Sequence, residues 1–204
     1  AAITSGNNTY QFDGATFDIF ESASGAHVGT IQMDSNGRAQ ATLLLNTAYY
    51  LVETKAPAGY VPRRDRIAFT TGNDGGQVAI DEQPGTINLR IVKLDAATNA
   101  GPQVGSSLAG AEFTCVSQST PGWAQILTTD ESGRATLVDV PLGTFTIYES
   151  KAPEGYLPSN DSWTYTVGAD QLGDSGVVEI ESRISDIPIA FDLEISKFKD
   201  YGNS

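Results

Sequence analysis

Lys93, Glu149 and Asp186 are the residues of this chain whose types and phase could do chemistry on one another. Lys93 lies between Ile91 and Asp95. Glu149 follows Phe145 and Ile147 at period two, and Asp186 follows Val178, Ile180 and Ile184 at the same period. Successive side chains of a strand point to opposite faces, so each of the three shares the face of its apolar neighbours. One amine and two carboxyls projecting into an apolar core are costly unless they pair or react. The plainer alternative places Lys93 and Asp186 at a surface edge, where they form an ion pair and the lysine deters edge-to-edge association.

Strands must position these groups. Runs rich in β-branched and aromatic residues predict strands at Thr16–Glu21, Ala39–Leu45, Tyr49–Glu53, Ile67–Thr71, Glu112–Ser117 and Ala124–Thr129. Further runs are Ala135–Val138, Phe145–Glu149, Trp163–Val167 and Val177–Ile184. Turn signals such as Ser35-Asn36-Gly37, Glu131-Ser132-Gly133 and Asp174-Ser175-Gly176 separate them. No segment holds a helical period over three turns. The pattern predicts an all-β chain of antiparallel sandwiches.

The chain repeats itself. Glu53 to Tyr60 (ETKAPAGY) returns as Glu149 to Tyr156 (ESKAPEGY), and Gly14/Gly110 and Gly37/Gly133 share the same offset of 96. Farther on, Pro84/Pro188, Leu89/Leu193, Ile91/Ile195 and Lys93/Lys197 are 104 apart, which puts an eight-residue insertion around Val167–Ser175. The expected organisation is a first copy at 1–86 without its opening lysine strand, a complete second copy at 87–188, and the opening strand of a following repeat at 189–204. In the first copy Glu53 is in phase with Tyr49 and Leu51. Glu82 stands where the second copy has Asp186, and no lysine precedes them. Asp81 is adjacent but faces the other way unless a bulge intervenes. Glu53, Glu82 and Lys197 are thus unpaired equivalents of the second copy's three groups.

With 204 residues, each copy is large enough to bury one core. A net charge of −13 and a pI near 4.3 argue against nucleic acid and anionic membrane surfaces, and fit a monomer kept apart by self-repulsion. No apolar run is long enough to span a bilayer, and no membrane insertion is expected. Cys115 is the single cysteine, so no intramolecular disulfide can form, and its phase with Phe113 reads as a small core residue. His27 is the single histidine and makes neither a metal cluster nor a catalytic triad. Asp34-Ser35-Asn36-Gly37 opens like a calcium loop, but Leu45 occupies the twelfth position, so a hairpin turn is the better reading. No cofactor, metal or turnover enzyme is expected.

Ile-Val-Lys-Leu-Asp at 91–95, Leu-Ala-Gly-Ala-Glu-Phe at 108–113, Thr-Asp-Glu-Ser-Gly-Arg-Ala at 129–135 and the stretch 142–156 resemble Cna B-type (collagen-adhesin B-region) and SpaA-type pilin domains of Gram-positive surface proteins. Residues 12–17 and 50–60 of the first copy match as well, so the resemblance covers nearly the whole chain. It implies two tandem Ig-like or transthyretin-like sandwiches, strung as a stalk between a cell wall and an adhesive tip. It also implies an isopeptide bond between Lys93 on the first strand and Asp186 on the last, with Glu149 as proton shuttle. The residues permit that chemistry, because amide formation needs a neutral amine and a neutral carboxyl, and burial favours both. A second carboxyl nearby can carry the proton.

No Leu-Pro-x-Thr-Gly sorting signal and no Tyr-Pro-Lys-like pilin element is visible. A cell-wall-attached surface adhesin therefore fits better than a polymerising backbone pilin. Its expected partners are neighbouring repeats of the same chain, with strand exchange by the C-terminal tail and a host extracellular matrix protein as further partners. The alternative is a module that binds collagen, another matrix protein or glycan directly, through Trp123 or Trp163.

Overall fold

The structure is a computed structural model, described for residues 2–73 and 76–197. The first copy contributes one antiparallel sheet. It comprises β1 (Thr16–Glu21), β2 (His27–Gln32), β3 (Ala48–Lys55) and β4 (Ile67–Thr70), in the order β2-β1-β3-β4. Alternation sets its buried face. Phe17 and Ile19 of β1 lie beside Tyr49 and Leu51 of the neighbouring β3 on one face, while Asp18 and Tyr50 are on the other.

The second copy contributes two sheets. β5 (Thr86–Asp95), β8 (Arg134–Pro141), β10 (Tyr156–Leu157) and β12 (Val177–Pro188) pair in the order β10-β12-β5-β8. β6 (Glu112–Ser117), β7 (Ala124–Thr128), β9 (Gly143–Lys151) and β11 (Ser162–Val167) pair in the order β11-β9-β6-β7. The sheets face each other across a single core. Ile87, Leu89 and Ile91 of β5 meet Phe113 and Cys115 of β6 and Phe145 and Ile147 of β9. A short 3-10 turn, Ala169–Gln171, fills the loop where the longer copy carries its extra residues.

All pairings are antiparallel except that of β5 with β12, which run parallel from Thr86/Val177 to Asp95/Asp186. These are the first and last strands of the second copy. They are joined through the rest of it rather than by a hairpin, so nothing forces them to be antiparallel.

The repeat is visible strand by strand. At the offset of 96, β1, β2, β3 and β4 are the counterparts of β6, β7, β9 and β11, and the two sheets share one strand order. β2 is a strand that the sequence pattern did not reveal. The expected strand Ala39–Leu45 is the converse case. It is the counterpart of β8, yet 38–44 carries no ladder, and Leu44 is 71% exposed. The counterpart of β12, 76–83, likewise has no ladder. Both counterparts in the second copy pair with β5, and among the described residues nothing occupies the corresponding place in the first. Strand propensity without a partner strand leaves the backbone unladdered.

Matching turns follow β2 and β7. Asp34 Oδ1 accepts the backbone N–H groups of Asn36 and Arg38 at 2.9 Å each, and Asp130 Oδ1 accepts those of Ser132 and Arg134 at 2.8 and 3.0 Å. Gly37 and Gly133 follow at φ of 69° and 71°, a conformation that glycine adopts without penalty. The Asp34 carboxylate is thus occupied by its own turn.

The N-terminal residues are seated on the second copy. Tyr10 belongs to its core. Its hydroxyl donates to the carbonyl of Gly85 and accepts the N–H of Leu142, both at 2.8 Å. Asn7 Nδ2 donates to Thr120 Oγ1 at 2.9 Å and to the Leu142 carbonyl at 2.7 Å.

Candidate functional site

The structure brings Lys93, Glu149 and Asp186 together. Lys93 is on β5, the strand buried between β12 and β8, and Asp186 projects from β12 on the same side, two residues beyond Ile184, the register partner of Lys93. Glu149 reaches across from β9 in the facing sheet, where it pairs with Phe113. The cluster therefore bridges the two sheets. All three side chains are sealed from solvent, with 0% side-chain exposure.

Lys93 Nζ lies 2.7 Å from Glu149 Oε1 and is also in contact with Asp186 Oδ1. These approaches have ion-pair distances without hydrogen-bond angles. Lys93 Nζ, Glu149 Oε1 and both Asp186 oxygens have no hydrogen-bond partner. The Phe113 ring, its centroid 5.2 Å from Nζ, closes one side. The other oxygen of Glu149 is anchored, with Oε2 accepting the backbone N–H of Ser159 at 2.8 Å. Burial pushes the Asp186 carboxyl above the ordinary carboxylate range. The adjacent Lys93 charge pulls against that shift, and the Glu149 charge adds to it.

Asp95 and Tyr156 hold the end of β5. Tyr156 Oη donates to Asp95 Oδ2 at 2.9 Å, and the same oxygen accepts from Gln103 Nε2 at 3.2 Å. Asp95 Oδ1 accepts the N–H of Ala97 at 2.7 Å and of Thr98 at 3.2 Å. Burial works to raise the Asp95 carboxyl, but these bonds, that of Tyr156 foremost, hold it below its ordinary value. The closing tyrosine of the repeated Lys-Ala-Pro-x-Gly-Tyr element is thus the clasp that fixes β5 two residues beyond Lys93. The tyrosine's recurrence in both copies was a visible signal, but its partner was not.

The first copy repeats half of the arrangement. Glu53 Oε2 accepts the N–H of Arg63, the residue equivalent to Ser159, and Glu53 Oε1 is buried without a partner. Burial raises the Glu53 carboxyl, and burial together with the Glu53 charge pushes Glu82 up to about 7. The Arg63 guanidinium turns outward, to Asp65 at 3.0 Å and to the carbonyl of Asp81. Lys197 is exposed, far along an unpaired segment, and meets neither carboxylate.

The remaining candidates lie apart from this cluster. Trp123 is buried in the core, and Trp163 is partly buried against it. His27 is exposed, edge-on to Phe20 and 3.4 Å from Asp18. Cys115 is buried, and burial lifts its thiol to about 12. Among the described residues no group of His, Cys, Asp and Glu could hold a metal ion, and no helix is long and apolar enough to cross a membrane.

In the second copy, facing sheets are closed by adjacent first and last strands. The model of the SpaA prealbumin-like fold domain matches residues 4–84 and again 88–182, and the chain belongs to that family. Among solved structures, the Bacillus anthracis TIE protein is similar at 22% identity with a TM-score of 0.67, over 91% of this chain and 33% of that one. This chain therefore spans about a third of that protein's length. A C-terminal fragment of the pilus adhesin SpaC from Lactobacillus rhamnosus GG is 18% identical with a TM-score of 0.47, over 90% of this chain and 93% of the fragment. The shaft pilin SpaA from the same organism is 18% identical with a TM-score of 0.38, over 89% and 87%. Comparison with curated protein sequences gives no match.

Proposed function

We propose that the chain is a stalk segment of a cell-wall-attached Gram-positive surface adhesin or pilus-like protein, and that its second domain is closed by an amide between Lys93 Nζ and Asp186 Cγ. The observation that carries this reading is the sequestered cluster of one amine and two carboxyls lacking hydrogen-bond partners. A buried charge cluster without such partners is a costly way to hold two sheets together, and reaction removes the cost.

The atoms balance simply. Transfer of one proton from the Lys93 ammonium to the Asp186 carboxylate leaves a neutral amine and a neutral acid. The raised proton affinity of Asp186 favours that exchange. Nζ attacks Cγ, Glu149 takes a proton from the nitrogen and returns it to the departing oxygen, and water leaves. Glu149 ends as it began, and its anchor to Ser159 keeps Oε1 aimed at Nζ. The reaction occurs once per molecule and gives no turnover. Its product is a mechanical element that resists shear and proteolysis.

The intact mass of the denatured chain tests the proposal. The expected result is a mass one water below that of the sequence, with the water regained in Lys93→Ala and Glu149→Ala. A full mass for the unaltered chain would refute the cross-link.

A further inference from the structure

The second copy exceeds the first by eight residues, 168–175, and these residues meet the first domain. The first copy passes directly from Thr71, the counterpart of Val167, to Gly72, the counterpart of Gly176. The repeat therefore does not need the extra residues to link these two segments.

The insertion builds its own shape. The Gln171 side chain accepts the N–H of Gly168 at 2.8 Å, and the Gln171 N–H donates to the Gly168 carbonyl at 3.2 Å. A second turn follows, in which the Gly176 N–H donates to the carbonyl of Gly173 at 3.0 Å. A compact loop bonded to itself presents its side chains from a fixed frame. The first turn presents Leu172 and the second Asp174.

Both turns reach the joint between the domains. Leu172 packs against the second domain's core and over buried Gly85, so closely that a Cβ on Gly85 would overlap the leucine side chain. Asp174 Oδ2 lies 2.6 Å from Nη2 of Arg64. Gly176, at the end of the insertion, is buried against Val61, and a Cβ there would overlap Cγ2 of that valine. The connecting residues are bonded on the way. The N–H of Val61 donates to the Gln83 carbonyl at 2.9 Å, that of Gly85 to Gly59 at 2.8 Å and that of Thr86 to Gly176 at 2.9 Å. Val61 and Arg64 lie between β3 and β4, so the contact reaches the sheet-bearing part of the first domain.

We infer that the insertion is a docking element whose partner is the segment 61–64 of the preceding domain, and that it sets the angle between the two domains. The close approaches at Gly85 and Gly176 define how near the surfaces come. The exposed Arg64–Asp174 pair contributes orientation more than energy. Tyr10 and Asn7 tether the leading residues of the first domain, and the docking element seats its sheet, which then cannot tilt about that tether.

Amide residual dipolar couplings of the full chain in a dilute aligning medium test the inference. The expected result is one alignment tensor that fits both domains. Deletion of 168–175 gives the second copy the connection length of the first, and the common tensor should be lost. Val61→Asp with Arg64→Glu leaves the second domain untouched and places two acids against Asp174. Both positions lie outside the first domain's core, so that domain still folds, and the common tensor should again be lost. The double variant decides the matter if the deletion disturbs the second domain itself. A common tensor retained in the double variant, or separate tensors already in the unaltered chain, would overturn the inference.

Discussion

Replacing Glu149 with Gln separates packing from proton transfer. The amide keeps the shape of the side chain, and its oxygen can still accept the N–H of Ser159. It cannot shuttle a proton between Nζ and the leaving oxygen, so Lys93 and Asp186 should remain an unreacted ion pair. The lost cross-link would have closed the loop from residue 93 to residue 186. By the chain-entropy relation for cross-links, a loop of that order constrains the unfolded state by about 4.7 kcal/mol. At roughly 4–8 °C per kcal/mol for a domain near 100 residues, the second domain of Glu149→Gln should melt on the order of 20–35 °C below the unaltered protein. Calorimetry with denatured mass on the same samples checks both halves. A Glu149→Gln variant that still loses one water would refute the role given to Glu149. Equal melting of crosslinked and uncrosslinked chains would refute the energetic argument.

Other perturbations give separate readouts. Glu82 binds its proton more tightly folded, at about 7, than unfolded, near 4.5. The folded state therefore holds more protons across that window, and the first domain should lose stability as pH rises from about 4.5 to 7. Thermal melts against pH should show the decline, and Glu82→Gln should remove it. Tyr156→Phe strips Asp95 of a buried donor and should cost about 1–3 kcal/mol in denaturant unfolding, without restoring the lost water. Trp123→Ala removes a buried core side chain and should cost about 3–5 kcal/mol, with no ligand needed to observe the effect.

The cluster was legible because period-two phase is a local property. Lys93, Glu149 and Asp186 each announce their face through the residues two positions away. β2 escaped notice because Gly29 interrupts His27–Gln32 and only Ile31 of that strand packs against the core, so no alternation is visible. Ala39–Leu45 misled in the opposite direction, since its composition is that of a strand but a ladder needs a neighbour. Asn7 and Tyr10 were invisible as anchors. Their partners, Thr120 and Leu142, lie more than a hundred residues away, and no short-range pattern encodes such contacts. The parallel pairing of β5 with β12 is of the same kind, set by the topology of the whole domain.

The seat of Tyr10 in the second domain's core bears on how a string of such units bends. A linker of loose residues would make the joint a swivel, and the string would coil in flow. Here one buried hydroxyl ties Gly85, at the joint, to Leu142, inside the next unit, while Asn7 fastens the preceding turn to Thr120 and Leu142. Rotating one unit against its neighbour would have to pull an aromatic ring out of a core. The joint between these two domains is welded, and Tyr10 sets its stiffness.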